Sequence, residues 1–256
     1  MGAGVRCVVV GVDCATTEER TGLAYAALDA KGPLEIKRVT LGTAGESCAA
    51  TVAQWIASEP FVLALDAPLG WPAPLGLALS VHRAGEPIDD APDAMFRRHT
   101  DRFVHVTLGK LPLEVGADRI ARTAHAALRL LGEVRRLSRR RVELCWAPGK
   151  PGGAIEVYPA ATLLSRGISA RGYKHDDAEG RKARQEILER LGSELRFARP
   201  HDRDQVLEDQ HMLDAVICTI AAADFARGEA LLPDDVEAAR REGWIWFRGR
   251  GQRGLF

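Results

Sequence analysis

The sequence predicts an α/β protein. A mixed five-stranded sheet is flanked by helices in a single domain over residues 1–256, with an irregular and partly helical insertion at about 71–150. Three observations carry this. Compact apolar runs at 5–12 and 61–65 read as buried strands, and each is closed by an aspartate. Two strand-like segments follow the first run with a turn cluster between them, which makes that part antiparallel. Helical periodicity then dominates the second half, as expected where helices cover a sheet.

In chain order, Val5-Arg6-Cys7-Val8-Val9-Val10-Gly11-Val12 is β-branched and ends at Asp13. Residues 22–29 and 33–41 are the next two strands, separated by Ala30-Lys31-Gly32-Pro33. From Glu46 to Ser58, Ala49, Val52, Ala53 and Ile56 repeat with helical spacing, and Pro60 lies just beyond. Phe61-Val62-Leu63-Ala64-Leu65 is the fourth strand and runs into Asp66. Proline and glycine crowd residues 67–76, which predicts no regular element there, and 77–112 shows no assignable period. A helix is predicted over 116–137 through Ile120, Ala124, Leu128 and Leu131. Ala154-Ile155-Glu156-Val157-Tyr158 is the fifth strand, stopped by Pro159. Helices over 178–196 and 205–226 complete the chain, the second apolar around most of its circumference.

Composition narrows the function classes. Of 256 residues, 46% are hydrophobic, enough to bury a core and too many for a disordered chain. No stretch approaches the apolar length of a membrane span, and the start lacks the features of a signal peptide. Five scattered cysteines without a C-x-x-C pair argue against a disulfide framework or a structural zinc site, so a cytoplasmic location is expected. Basic and acidic residues both number 35, which removes whole-molecule attraction to nucleic acid as an argument. Most of the bases are Arg, the type suited to bidentate phosphate or carboxylate contacts, although Arg-favouring codon usage gives the same bias.

The informative residues are acids that interrupt apolar runs. Asp13 and Asp66 stand where strands end, the place at which α/β sheets present side chains to ligands. Glu156 alternates with Ile155 and Val157 and so points to the opposite face from them. Asp214 interrupts Met212–Ile220, a helix with little polar surface, where a lone charge is costly unless it meets a cation or shifts its pKa. His211 precedes it by three residues and shares its helix face. Singly, a strand-end Asp is an ordinary cap, and Asp214 could pair with an Arg of the 178–196 helix. Together they form an oxygen-rich set with one imidazole, which suits Mg²⁺ or Mn²⁺.

The segments Gly11-Val12-Asp13, Ala64-Leu65-Asp66-Ala67-Pro68-Leu69-Gly70, Arg98-His99-Thr100-Asp101, Ile155-Glu156-Val157-Tyr158-Pro159, Asp214-Ala215-Val216 and Gly243-Trp244-Ile245-Trp246 resemble family 429 of the domains of unknown function. That resemblance spans nearly the whole chain. It implies an RNase H-like fold and a nuclease, with catalytic acids Asp13, Asp66, Glu156 and Asp214. A further similarity to RuvC-type resolvases implies metal ligation by Asp13, Asp66, His211 and Asp214, and gives Glu156 no settled place. On this reading two Mg²⁺ or Mn²⁺ ions lie about 3.5–4 Å apart between the carboxylates. Arg98, Asp101 and Lys174 bind the substrate, a structured DNA or RNA. Because RuvC-type enzymes act as dimers, a homodimer is also expected.

Two other classes stay open at this point. Gly11-Val12-Asp13-Cys14-Ala15-Thr16-Thr17 resembles the first phosphate motif of sugar and acid kinases of the actin-like ATPase superfamily, but Ala15 replaces a glycine and no second phosphate motif follows. A non-catalytic RNase H-like module binding a nucleotide or a protein is the third. The dense basic run Arg135-Arg136-Leu137-Ser138-Arg139-Arg140-Arg141 is either a phosphate-backbone contact or a solvated helix end.

Overall fold

The computed structural model describes residues 7–29, 32–57, 60–116 and 118–249. Strands β1 (Cys7–Asp13), β2 (Gly22–Leu28) and β3 (Leu34–Leu41) follow in succession, and α1 (Cys48–Trp55) crosses over to β4 (Phe61–Asp66). Four helices come next: α2 (Ala73–Val81), α3 (Pro92–Phe96), α4 (His99–Leu108) and α5 (Asp118–Ser138). Then come β5 (Gly153–Glu156), α6 (Pro159–Leu164), α7 (Ala178–Leu191), β6 (Leu195–Phe197), α8 (Pro200–Glu208), α9 (Gln210–Arg227) and α10 (Val236–Glu242). The sheet order is β5-β4-β1-β2-β3-β6. Strand β2 is antiparallel to β1 and β3, while the β1–β4, β4–β5 and β3–β6 pairs are parallel. Among the described residues no helix is long and apolar enough to cross a membrane.

The α/β class and the mixed sheet are as the sequence predicts, but the strand count is not. Among the described residues six strands form the sheet. The segment expected to continue a helix to residue 196 leaves it at Leu191 and adds Leu195–Phe197 to the β3 edge. Three residues are too few to display a strand period, so only the pairing reveals β6. The helix expected over 205–226 is two helices. They break at Asp209, whose extended backbone (φ −128°) lets its carboxylate accept the Met212 N–H and cap α9. The proline-rich stretch after β4 also holds a helix, since Pro74 falls in the first turn of α2, where its missing N–H costs nothing.

Side-chain alternation divides the core in two. Val8, Val10 and Val12 of β1, with Leu63 and Leu65 of β4, pack under α1 and α5. Cys7, Val9, Val62 and Ala64 face α9 and its neighbours. Helix α9 is buried from Met212 to Phe225, so it needs no polar face. It approaches the sheet at backbone distance. A Cβ on Gly11 would overlap the Ala215 carbonyl oxygen and meet Cys218 Cβ at 2.8 Å, and one on Gly22 would overlap the His211 carbonyl. The glycines therefore set how closely α9 lies over the ends of β1 and β2.

Replacing Gly11 by Ala should lower unfolding free energy by about 2 kcal/mol or more, because α9 has to lift off buried neighbours. Urea denaturation measures this, and a loss below about 0.5 kcal/mol would show that the helix has slack to move.

Candidate metal centre

Parallel pairing places Asp13 directly beside Asp66. Each directly follows a residue of the α1–α5 face, Val12 and Leu65, so both side chains emerge on the opposite, α9 face. Asp214, only 1% exposed, projects from α9 toward them. One carboxylate oxygen from each of these three residues lies within 4.8 Å of the others. Such a group of hard oxygen donors, without thiolate, matches the preference of Mg²⁺ or Mn²⁺.

The surrounding hydrogen bonds orient two of the acids. His211 Nδ1 lies 2.6 Å from Asp13 Oδ2. The Tyr173 hydroxyl donates to Asp214 Oδ1 at 2.7 Å, and Lys174 Nζ lies 2.7 Å from Asp214 Oδ2. No side chain among the described residues hydrogen-bonds the partly exposed Asp66 carboxylate. Burial raises the Asp13 carboxyl to about 6, against the His211 hydrogen bond and with help from Asp214. Burial also raises Asp66, and the neighbouring Asp13 and Asp214 charges push the same way. The His211 hydrogen bond to Asp13 raises the imidazole. Three crowded, buried carboxylates thus resist ionising beside one ammonium and one imidazole, a condition a bound cation relieves.

His211, expected as a ligand, stands behind Asp13 and outside the three-carboxylate group. Glu156, Arg98 and Asp101 depart further from expectation, for one reason of parity. Leu65 and Glu156 are register partners, so Glu156 emerges on the face opposite Asp66. There it meets Arg98, which is 2% exposed. Arg98 Nη1 and Nη2 donate to Glu156 at 2.9 and 2.8 Å. Its Nε and Nη2 donate to Asp101 at 3.2 and 2.9 Å, and Nη1 also donates to the Glu242 carbonyl at 3.3 Å. All five guanidinium hydrogens are engaged, leaving none for a phosphate. The Arg98, Asp101 and Glu156 side chains therefore form a sealed ion cluster instead of a substrate surface.

That cluster still serves the site. Glu156 Oε2 accepts the Leu69 N–H at 2.9 Å and so holds the loop that leaves Asp66. Glu242 accepts from Ala73 N at 2.8 Å and His99 N at 2.7 Å, tying α10 to the insertion. Gly243 has φ +92°, and a Cβ there would stand 2.7 Å from Glu156 Oε2, so glycine is required at this crossing.

Three residues escaped the sequence reading. Tyr173 fixes Asp214, and Arg184 fixes the Tyr173 backbone, yet neither lies in a recognisable pattern. Tyr158 sits beside the acids. Burial raises its phenol to about 12, with the Asp66 charge next in importance. Its Glu-Val-Tyr-Pro context was the available signal. The 135–141 basic run lies elsewhere. Arg135 donates to Val142 O, while Arg140 donates to Ile56 O and stacks 4.8 Å over Phe61, at the start of β4 and roughly 17 Å along the strand from Asp66.

Two outcomes are expected. Asp13 and His211 both have folded pKa values raised above their unfolded ones, so each contributes stability at low pH that is lost as pH rises through the raised value. The gain in melting temperature from Mn²⁺ should therefore grow from about pH 5 to about pH 8, and vanish in Asp13→Asn; a gain independent of pH would contradict this. Removing the buried guanidinium in Arg98→Ala should cost about 3–5 kcal/mol in urea denaturation.

The chain matches the family described as Protein of unknown function (DUF429) over residues 11–238. No curated protein and no solved structure matches it. That match begins at the last residues of β1 and runs through α9, enclosing all three carboxylates. The chain belongs to the DUF429 family.

Proposed function

We propose that the protein is a divalent-metal-dependent nuclease of RNase H-like fold that hydrolyses phosphodiester bonds in DNA or RNA. One observation carries the reading: carboxylates at the ends of the first and fourth strands converge with one on the last core helix, within 4.8 Å. Support for the fold comes from the three successive strands β1–β3, the crossover through α1 and the parallel β4, with acids at the positions the RuvC-like pattern requires.

Asp13, Asp66 and Asp214 would hold the ion, which supplies Lewis acidity and a water of lowered pKa. The chain's own residues do the rest. Strands β1 and β4 are paired through their last residues, so the first two carboxylates keep a fixed separation. His211 takes up Asp13 Oδ2 and so fixes the Asp13 carboxylate, leaving its other oxygen for the ion. Tyr173 orients Asp214 from within the core. Tyr158, near enough for the Asp66 charge to raise its phenol, would line the approach for a substrate. Developing negative charge on a phosphodiester would meet preorganised positive charge in a partly dehydrated recess, where such interactions gain strength.

The test offers purified protein single strands, branched DNA and RNA–DNA hybrids with Mg²⁺ or Mn²⁺, alongside ATP. Cleavage should appear with metal, disappear with chelator and fall at least about 100-fold in Asp13→Asn and Asp66→Asn. ATP turnover without strand cleavage would overturn the proposal in favour of a kinase-like activity.

A further inference from the structure

Lys174 occupies an unusual position for a surface residue. Its ammonium lies 2.7 Å from Asp214 Oδ2, and it is 55% exposed beside a carboxylate that is 1% exposed. Asp66 and Asp13 attract it as well. Burial opposes its charge, but the three carboxylates outweigh that and raise its affinity for the proton. The ammonium therefore stands where the acid cluster opens to solvent, on the carboxylates that would hold a divalent ion.

The backbone beneath it is fixed. Arg184, 2% exposed, donates from Nη1 to the carbonyls of Tyr173 and His175 at 2.6 and 2.9 Å, one on each side of Lys174. The same guanidinium donates from Nε to Leu207 O at 2.7 Å, locking the segment to the end of α8. A Cβ on Gly180 would overlap the His175 carbonyl, so α7 presses directly on this turn. Tyr173 is buried and bonded to Asp214. Only the four-carbon side chain of Lys174 can move without breaking these contacts. A lysine ammonium is a point charge on a flexible stem, unlike the planar fork of Arg98.

We propose that Lys174 is a displaceable counter-ion: it neutralises Asp214 in the ion-free protein, and a divalent cation takes its place, turning the ammonium outward to meet a phosphate of the bound substrate. This rests on the metal-dependent reading above. A divalent ion and an ammonium cannot both contact Asp214 Oδ2 without strong repulsion at such short range. The divalent ion has twice the charge and a preference for direct carboxylate oxygens, whereas the ammonium loses little by re-entering water. Exchange therefore requires only a change of side-chain rotamer, and cation binding is coupled to the appearance of a phosphate-binding charge at the mouth.

The experiment uses the full chain and two readouts. Calorimetric titration with Mn²⁺ compares the parent with Lys174→Met, which keeps the stem, Lys174→Arg, which keeps the charge, and Asp66→Asn; thermal melts establish that each is folded. Lysine acetylation, followed residue by residue by mass spectrometry, compares the parent with and without saturating Mg²⁺. Lys174→Met should bind Mn²⁺ about tenfold or more tightly, Lys174→Arg within about threefold of the parent, and Asp66→Asn far more weakly. Acetylation of Lys174 should rise on Mg²⁺ saturation while Lys37 stays constant. Equal or weaker Mn²⁺ binding by Lys174→Met would overturn the proposal, and so would unchanged Lys174 acetylation. If neither the parent nor Lys174→Met binds Mn²⁺, the metal-centre reading itself fails.

Discussion

The close approach of α9 to β1 and β2 is the constraint on which the site depends. Without side chains at Gly11 and Gly22, the helix backbone rests on the strands, near enough that a single methyl would collide with Ala215 or His211. That depth brings Asp214 level with Asp13 and lets His211 reach the Asp13 carboxylate. A helix seated at ordinary side-chain distance would leave the third carboxylate too far away to share an ion. The apolar circumference of α9 has the same origin, because a helix pressed between sheet and outer helices presents no face to water.

Two charged centres sit back to back across the edge of the sheet and differ in how their charge is met. In one, Arg98 spends every guanidinium hydrogen on Glu156, Asp101 and the Glu242 carbonyl, and the result is structural. In the other, three carboxylates share one half-exposed ammonium and one imidazole. Strand alternation produces this separation. Asp66 and Glu156 are on neighbouring strands but one step out of phase, so one carboxylate enters the open recess and the other the sealed cluster. Removing a partner from the sealed cluster strands a buried charge, whereas the half-exposed Lys174 ammonium leaves its carboxylates by a change of rotamer alone.

Much of the open site was legible because it violates local pattern. Asp13 and Asp66 end apolar runs, and Asp214 interrupts an apolar helix, so each stands out from its neighbours. The opposite orientation of Glu156 was also readable from Ile155 and Val157. Its partner was not, since Arg98 is 58 residues away and nothing in the intervening sequence measures that distance. Strand β6 and the break at Asp209 escaped because one is too short for a period and the other carries neither glycine nor proline. The basic run drew notice by density, yet Arg135 and Arg140 spend their donors on backbone carbonyls at the far end of β4. Density of charge does not reveal where a helix ends in space.

The tie between the insertion and the segment after α10 has a consequence for biosynthesis. Trp246 N–H donates to the Glu156 carbonyl, Ile245 N–H to Thr100 Oγ1, and Glu242 holds both Ala73 and His99. A nascent chain released from the ribosome as far as α9 already contains all three carboxylates, and Glu156 that holds Leu69, but not Glu242, Ile245 and Trp246, which tie the insertion and β5 together. Final closure therefore waits for the segment from Glu242 to Trp246, although the acids themselves emerge early. Removing residues 242–247 would strip those ties while leaving every strand of the sheet in place.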